Sequence, residues 1–188
     1  KRLNRLEICW REDVRRWHSG QQWIWEPGGY GVFDPGMNAL SIVTKILPDP
    51  IHLSSATLAI PSNKSTPIAA DLVFDHPHAA RVSANFDWRE TGEQSWNIDI
   101  DTSDGRLQLF NGGSQLVING ENIESTQYYK TVSDDKAVNT LGNEYPRLYA
   151  NMAQLIKQHE IDMDLSPLRL VADAFMLGKT VITEPFYE

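Results

Sequence analysis

Leu6, Ile8 and Trp10 alternate with Glu7, Cys9 and Arg11 near the start of the chain. That period of two predicts a short half-buried strand. A charge-dense run follows, Glu12-Asp13-Val14-Arg15-Arg16-Trp17-His18, and Ser19-Gly20 marks a turn. From Pro35 the period lengthens. Met37, Leu40, Ile42, Val43, Ile46 and Leu47 suit a partly buried helix that stops at Pro48. Asp34 before Pro35 reads as its N-cap, since proline in the first turn gives up no hydrogen bond.

After Pro48-Asp49-Pro50 alternation returns. Leu53, Ala56, Leu58 and Ile60 predict a strand closed by Pro61, its register open around Ser54-Ser55. Ile68, Ala70, Leu72 and Phe74 predict the next strand. Val82-Ser83-Ala84-Asn85-Phe86-Asp87-Trp88 and Trp96-Asn97-Ile98-Asp99-Ile100-Asp101 are both clean period-two runs. Asp104-Gly105, Asn111-Gly112-Gly113 and Asn119-Gly120 then punctuate Leu107, Leu109, Leu116 and Ile118 as hairpins do. Strands joined by short turns predict a largely antiparallel sheet. One face is apolar, and the other carries Ser83, Asn85, Asp87, Asn97, Asp99 and Asp101. That polar face suits solvent or a partner, and alternation does not choose between them.

Residues 121–143 lack a pattern and read as a surface loop. Leu148, Met152, Leu155 and Ile156 recur at helical spacing. Ser166-Pro167 opens a last helix, with Leu168, Val171, Ala172 and Phe175 facing inward and Gly178 as its stop. The fold class is therefore α+β, an open mainly antiparallel sheet with helices covering one face.

Composition narrows the function. A chain of 188 residues, 41% hydrophobic and 22% charged, suits a single domain with a sizeable core. A net charge of −8 argues against nucleic acid and anionic membranes as partners. The lone Cys9 leaves no internal disulfide and fits a reducing, cytoplasmic setting. The opening Lys1-Arg2-Leu3-Asn4-Arg5 has no signal-peptide core, and composition leaves open that the chain is a piece of a longer polypeptide.

The chemistry gathers around Glu26-Pro27-Gly28-Gly29-Tyr30-Gly31-Val32-Phe33-Asp34-Pro35-Gly36-Met37-Asn38. Its glycines permit backbone shapes that other residues resist. Asp34 and Asn38 are four apart, roughly 5–6 Å between Cβ atoms on one side of a helical turn. A carboxylate and an amide so placed suit a polyol; equally, Asp34 only caps the helix and Asn38 is surface. Trp10, Trp17, Trp23 and Trp25 cluster beside Glu12, Asp13 and His18. Indoles beside carboxylates and an imidazole suit a sugar, whose C–H faces stack while its hydroxyls bond. A tryptophan-rich buried corner with surface ion pairs reads the same residues otherwise. The five histidines and Cys9 show no metal-ligand spacing, so no metal is expected. Gly28-Gly29-Tyr30-Gly31 lacks the strand–loop–helix setting of a dinucleotide site, and no GxSxG or phosphate-binding loop is present.

The run from Trp10 to His18, followed by that from Glu26 to Ile42, closely resembles bacterial D-galactose and L-arabinose 1-dehydrogenases of the Gfo/Idh/MocA oxidoreductase superfamily. The meander and Leu168-Arg169-Leu170-Val171-Ala172-Asp173-Ala174-Phe175 extend the resemblance over most of the chain. The resemblance implies a C-terminal substrate and oligomerisation domain across residues 1–188, without the N-terminal Rossmann domain that binds NAD or NADP and carries the catalytic lysine. It implies sugar-binding positions at Glu12, Trp17 and His18, an acid–base pair at Asp34 and Asn38, an aldose partner, and a homo-oligomer formed through the sheet. Many superfamily members carry histidine where this chain has Asn38. Asparagine bonds a hydroxyl without taking its proton, which leaves Asp34 as the base. The implied reaction oxidises a pyranose at C1 to its lactone. A non-catalytic sugar sensor is one alternative, separable by whether a glycine fingerprint and lysine lie upstream; a sheet-mediated assembly module is the other, which would bind no sugar and tolerate Asp34→Ala.

Overall fold

The computed structural model describes residues 2–123 and 144–188. Nine strands form one sheet among these residues: β1 (Leu3–Arg11), β2 (His52–Pro61), β3 (Ala69–Asp75), β4 (Arg81–Asp87), β5 (Ser95–Thr102), β6 (Gly105–Phe110), β7 (Gln115–Ile118), β8 (Glu121–Ile123) and β9 (Lys179–Thr183). Their spatial order is β8-β7-β6-β5-β1-β4-β3-β2-β9. Only β1 with β4 and β2 with β9 run parallel, so the sheet is open and mainly antiparallel as the alternation predicts.

The sheet also departs from a simple meander. β1 inserts between β4 and β5, so these successive strands are not neighbours. The registers explain the insertion. Leu6, Ile8 and Trp10 lie opposite Val82, Ala84 and Phe86 on one side, and opposite Ile100, Ile98 and Trp96 on the other. Three apolar rows thus fall on one face. β8 and β9 were not foreseen, because neither shows the buried–exposed contrast that alternation needs. β8 occupies the start of the stretch expected to be a loop, and residues 124–143 of that stretch lie outside the described residues.

Four helices are described: α1 (Val14–Trp17), α2 (Phe33–Ile46), α3 (Glu144–Gln158) and α4 (Ser166–Leu177). α2 lies on the apolar face, where Phe33 meets the Phe86 ring edge-on at 5.9 Å and both are fully buried. Gly36 lets the helix approach, since a Cβ there would lie 3.2 Å from Phe86. The buried stripe is Phe33, Pro35, Gly36, Ala39, Leu40 and Val43, and the expected Ile46 is 45% exposed. In α4 the buried residues are Leu170, Val171 and Ala174, while Leu168, Ala172 and Phe175, expected inside, are exposed.

Asp34 is not the N-cap. Coiling starts earlier, with Phe33 N–H donating to the Tyr30 carbonyl at 3.2 Å and Asp34 N–H to the Gly31 carbonyl at 2.9 Å. Val32 holds the cap position without a side-chain bond, which places Asp34 inside the first turn.

The polar face carries its own cross-strand network. Arg5 Nε bonds Asp101 at 3.0 Å, Arg106 grips Asp99, and Arg89 bonds Asp87. Arg89 and Arg106 thus pair within their own chain. The Arg106 guanidinium holds the Asp99 carboxyl below the usual carboxylate range.

Candidate functional site

The site grows from the end of β1. Glu12 continues that strand's direction, its N–H donating to the Asp87 carbonyl at 2.9 Å. Asp13 then caps α1, accepting from Arg15 N–H at 3.0 Å. One short helical turn folds the chain back, and His18 arrives over Glu12.

Glu12 is only 4% exposed and its carboxylate is heavily committed. Oε1 accepts from Trp88 Nε1–H at 3.0 Å and from His18 Nε2 at 3.0 Å. Oε2 accepts from Trp96 Nε1–H at 2.9 Å. A charge this deep is tolerated only when such donors surround it. The Glu12 hydrogen bond raises the His18 pKa above its ordinary value, against the opposing effect of burial, with Gln21, the Glu12 charge and the Asp34 charge adding to the rise. The far nitrogen, Nδ1, points between Gln21 Oε1 at 3.4 Å and Asp34 Oδ2 at 3.8 Å. Protonated, the ring donates from both nitrogens, so a cation sits between a buried and a half-exposed carboxylate.

Asp34 reaches this place because of the glycine loop. Gly31 adopts φ +53°, and a Cβ there would lie 2.4 Å from the Pro67 carbonyl oxygen. A Cβ on Gly29 would lie 2.6 Å from the Trp23 carbonyl oxygen. Val32 N–H donates to Pro67 and Gly31 N–H to Ile24, which closes the loop against its neighbours. The loop is thus a packing device that aims α2 and not a phosphate cradle.

Trp17 is 45% exposed and meets Trp96 edge-on at 5.3 Å, with the Arg16 guanidinium 4.9 Å from its ring centre. The four clustered tryptophans divide evenly. Trp17 and Trp23 are exposed, whereas Trp10 and Trp25 belong to the core, Trp25 Nε1–H donating to Glu188 at 2.7 Å. Asn38 is exposed one turn beyond Asp34. The structure therefore brings Glu12, His18 and Asp34 into one string, with Trp17 beside it and Asn38 on the rim.

Sequence reading missed Trp88, Trp96 and Gln21. Trp88 and Trp96 lie 76 and 84 positions from Glu12, and nothing local links them to it. The one available signal was strand pairing, which sets Trp96 opposite Trp10, two residues before Glu12.

A cavity of about 520 Å³ lies at the other end of α2, lined by Leu3, Leu47, His76, His78 and Ile100 among others, and shares no residue with this string. Among the described residues no group of three His, Cys, Asp or Glu side chains is placed to hold a metal ion. No helix there is long and apolar enough to cross a membrane.

No protein-family model matches the chain. It is 44% identical over 186 residues to a galactose 1-dehydrogenase from Pseudomonas fluorescens, covering 99% of this chain and 56% of that protein. The crystal structure of a D-galactose-1-dehydrogenase from Rhizobium etli superposes with a TM-score of 0.86 at 46% identity, over 99% of this chain and 55% of that one. A 3-ketoreductase from Actinomadura kijaniata, solved with NADP and TDP-benzene, gives a TM-score of 0.71 at 12% identity, over 97% of this chain and 56% of that one. At that identity the likeness speaks for the fold alone. The chain spans about half the length of each of these relatives.

Proposed function

Because this chain is a homologue of galactose 1-dehydrogenase with the fold of the Gfo/Idh/MocA C-terminal domain, we propose that it is the substrate domain of an NAD(P)-dependent aldose 1-dehydrogenase. Its substrate is a pyranose of the D-galactose or L-arabinose type, oxidised at C1 to the lactone. The observation that carries this reading is the Glu12–His18–Asp34 string, which opens to the surface at Asp34 and has an exposed tryptophan, Trp17, next to His18.

A nicotinamide cofactor, held by a Rossmann domain outside this chain, would supply the hydride acceptor for C1. This chain's residues bind, orient and take the proton. Asp34 accepts the O1–H proton, for which its carboxylate must come within about 2.6–3.2 Å of O1. Asn38 donates to or accepts from the neighbouring hydroxyl without competing for that proton. His18, anchored through Nε2, presents Nδ1 to a hydroxyl on the Asp34 side. Trp17 offers its face to the C–H side of the ring. Glu12 serves chiefly by holding His18 and Trp96 in place. The polar sheet face is the surface we assign to homo-oligomer contacts.

The test uses the full-length polypeptide and follows NAD(P)H absorbance across a panel of aldoses. Wild type oxidises galactose- or arabinose-type sugars, and residues 1–188 alone do not. Asp34→Asn lowers kcat by about 10²–10⁴-fold, as loss of a general base does. Trp17→Ala instead raises KM with kcat nearly kept, since stacking serves substrate and transition state alike. An Asp34→Asn rate within about threefold of wild type would remove Asp34 from the chemistry.

A further inference from the structure

The end of α2 away from Asp34 borders the cavity of about 520 Å³. Leu3 of β1 and Ile100 of β5 are buried in its lining, and Ile46, Leu47 and Leu107 continue the apolar wall. That volume lies within the range of small-molecule sites, and walls of this composition favour an apolar guest.

One polar group interrupts the wall. His76, in the turn from β3 to β4, also lines the cavity and is only 7% exposed. The turn is closed by Ala79 N–H donating to the His76 carbonyl at 2.9 Å. Within it, His78 N–H donates to His76 Nδ1 at 3.2 Å. A ring nitrogen that accepts carries no proton, so the imidazole proton sits on Nε2. That Nε2–H has no acceptor among the described residues. Buried donors are almost always paired, and one left over in a cavity wall calls for an acceptor on whatever fills the cavity.

The charges beside the cavity set the class of guest. Arg2 and Asp49 both belong to the lining, one of each sign, and Asp49 Oδ2 lies 3.5 Å from His78 Nε2. An anion meets Asp49 there and a cation meets Arg2. Either ion also gives up hydration against the apolar wall, a cost that an uncharged guest escapes. We infer that the cavity is a second ligand site, for an uncharged apolar molecule whose single carbonyl oxygen accepts from His76 Nε2. It shares no residue with the Glu12–His18–Asp34 string, so the inference stands apart from the aldose reading.

The probe is 2-nonanone, an alkyl chain with one carbonyl, titrated into the full-length polypeptide with isotope-labelled leucine and isoleucine methyls and imidazole nitrogens. Saturable one-to-one binding is expected, with a Kd below about 1 mM. The Leu3 and Ile100 methyls and His76 Nε2 shift along one curve, and NOEs join those methyls to the ketone. His76→Phe keeps the bulk of the ring without its donor and weakens binding at least about fivefold, as loss of one hydrogen bond does. Nonanoate, of similar length but anionic, binds at least about tenfold more weakly. Unaltered affinity in a His76→Phe protein that melts like wild type overturns the assignment of Nε2. Nonanoate binding as tightly as the ketone overturns the uncharged class. Saturation that leaves Leu3 and Ile100 unshifted, or no saturation up to the ketone's solubility, overturns the site itself. These shifts are read on wild type, so they decide the question even where His76→Phe does not fold.

Discussion

A carboxylate that accepts from two indoles and an imidazole has most of its acceptor capacity committed before any ligand arrives. Glu12→Gln turns one of those acceptors into an N–H₂ that faces a donor. The expected cost is roughly 3 kcal/mol, within the range for breaking a buried charge-accepting network, read from urea or thermal unfolding. The same substitution lets the His18 pKa, raised mainly by the Glu12 bond, fall back toward its ordinary value, which imidazole NMR shifts report. The sign for stability follows from that direction. A histidine whose folded pKa is raised stabilises fully below its unfolded value of about 6.5, and the contribution is lost as pH climbs through the folded value. The Tm advantage of wild type over His18→Gln is thus largest below about pH 6 and shrinks as pH climbs through the raised folded value. A constant advantage would mean that His18 acts only by packing. Glu12, His18 and Asp34 were legible as polar residues beside tryptophans and a glycine loop. Their order along one string was not, because the donors that fix Glu12 come from strands made far later in the chain.

At the scale of elements, the glycine loop shows how one carbonyl decides where a helix points. Gly31 is held at φ +53° with the Pro67 oxygen where a Cβ would stand, whereas Gly28 at φ +93° has nothing within 4 Å. Gly28→Ala is expected to cost about 1 kcal/mol, from backbone strain alone. Gly31→Ala adds a clash with backbone and should cost at least about 3 kcal/mol, at the upper end for strained positions. Equal midpoints in urea for the two variants would show that packing against Pro67 is not what demands glycine. Alternation found β1, β3, β4 and β5, where buried residues recur at every second position, and the half-buried β6 and β7 were legible through the glycine turns that flank them. It failed at β8 and β9, whose side chains are mostly exposed and which are strands only because a neighbour offers its edge. The Asp34 cap failed for a related reason, since the Tyr30 and Gly31 carbonyls had begun the helix before the proline that seemed to open it.

For the whole molecule, the balanced charges on the polar sheet face shape how copies would meet. Arg5, Arg89 and Arg106 are matched within the chain, so association there relies on hydrogen bonds and water more than on opposed fields. We expect scattering to report at least two chains at micromolar concentration, with a mass that changes little between low and high salt. A monomer under both conditions would mean that the face is simply solvated. The placement of β1 carries a different consequence, one of time. β1 is made first yet sits at the centre of the sheet, and its neighbours on both sides, Val82 and Ile100, follow long after Leu6. β5–β8 and β2–β4 meet only through β1 among the described strands, so β1 acts as a clasp that closes last on two preformed halves. Long-range pairing of this kind slows folding. In pulse-labelled refolding, amides of β2 and β3 should gain protection before those of Leu6 and Ile8, and on a ribosome β1 must wait, unpaired, until β4 and then β5 have been synthesised.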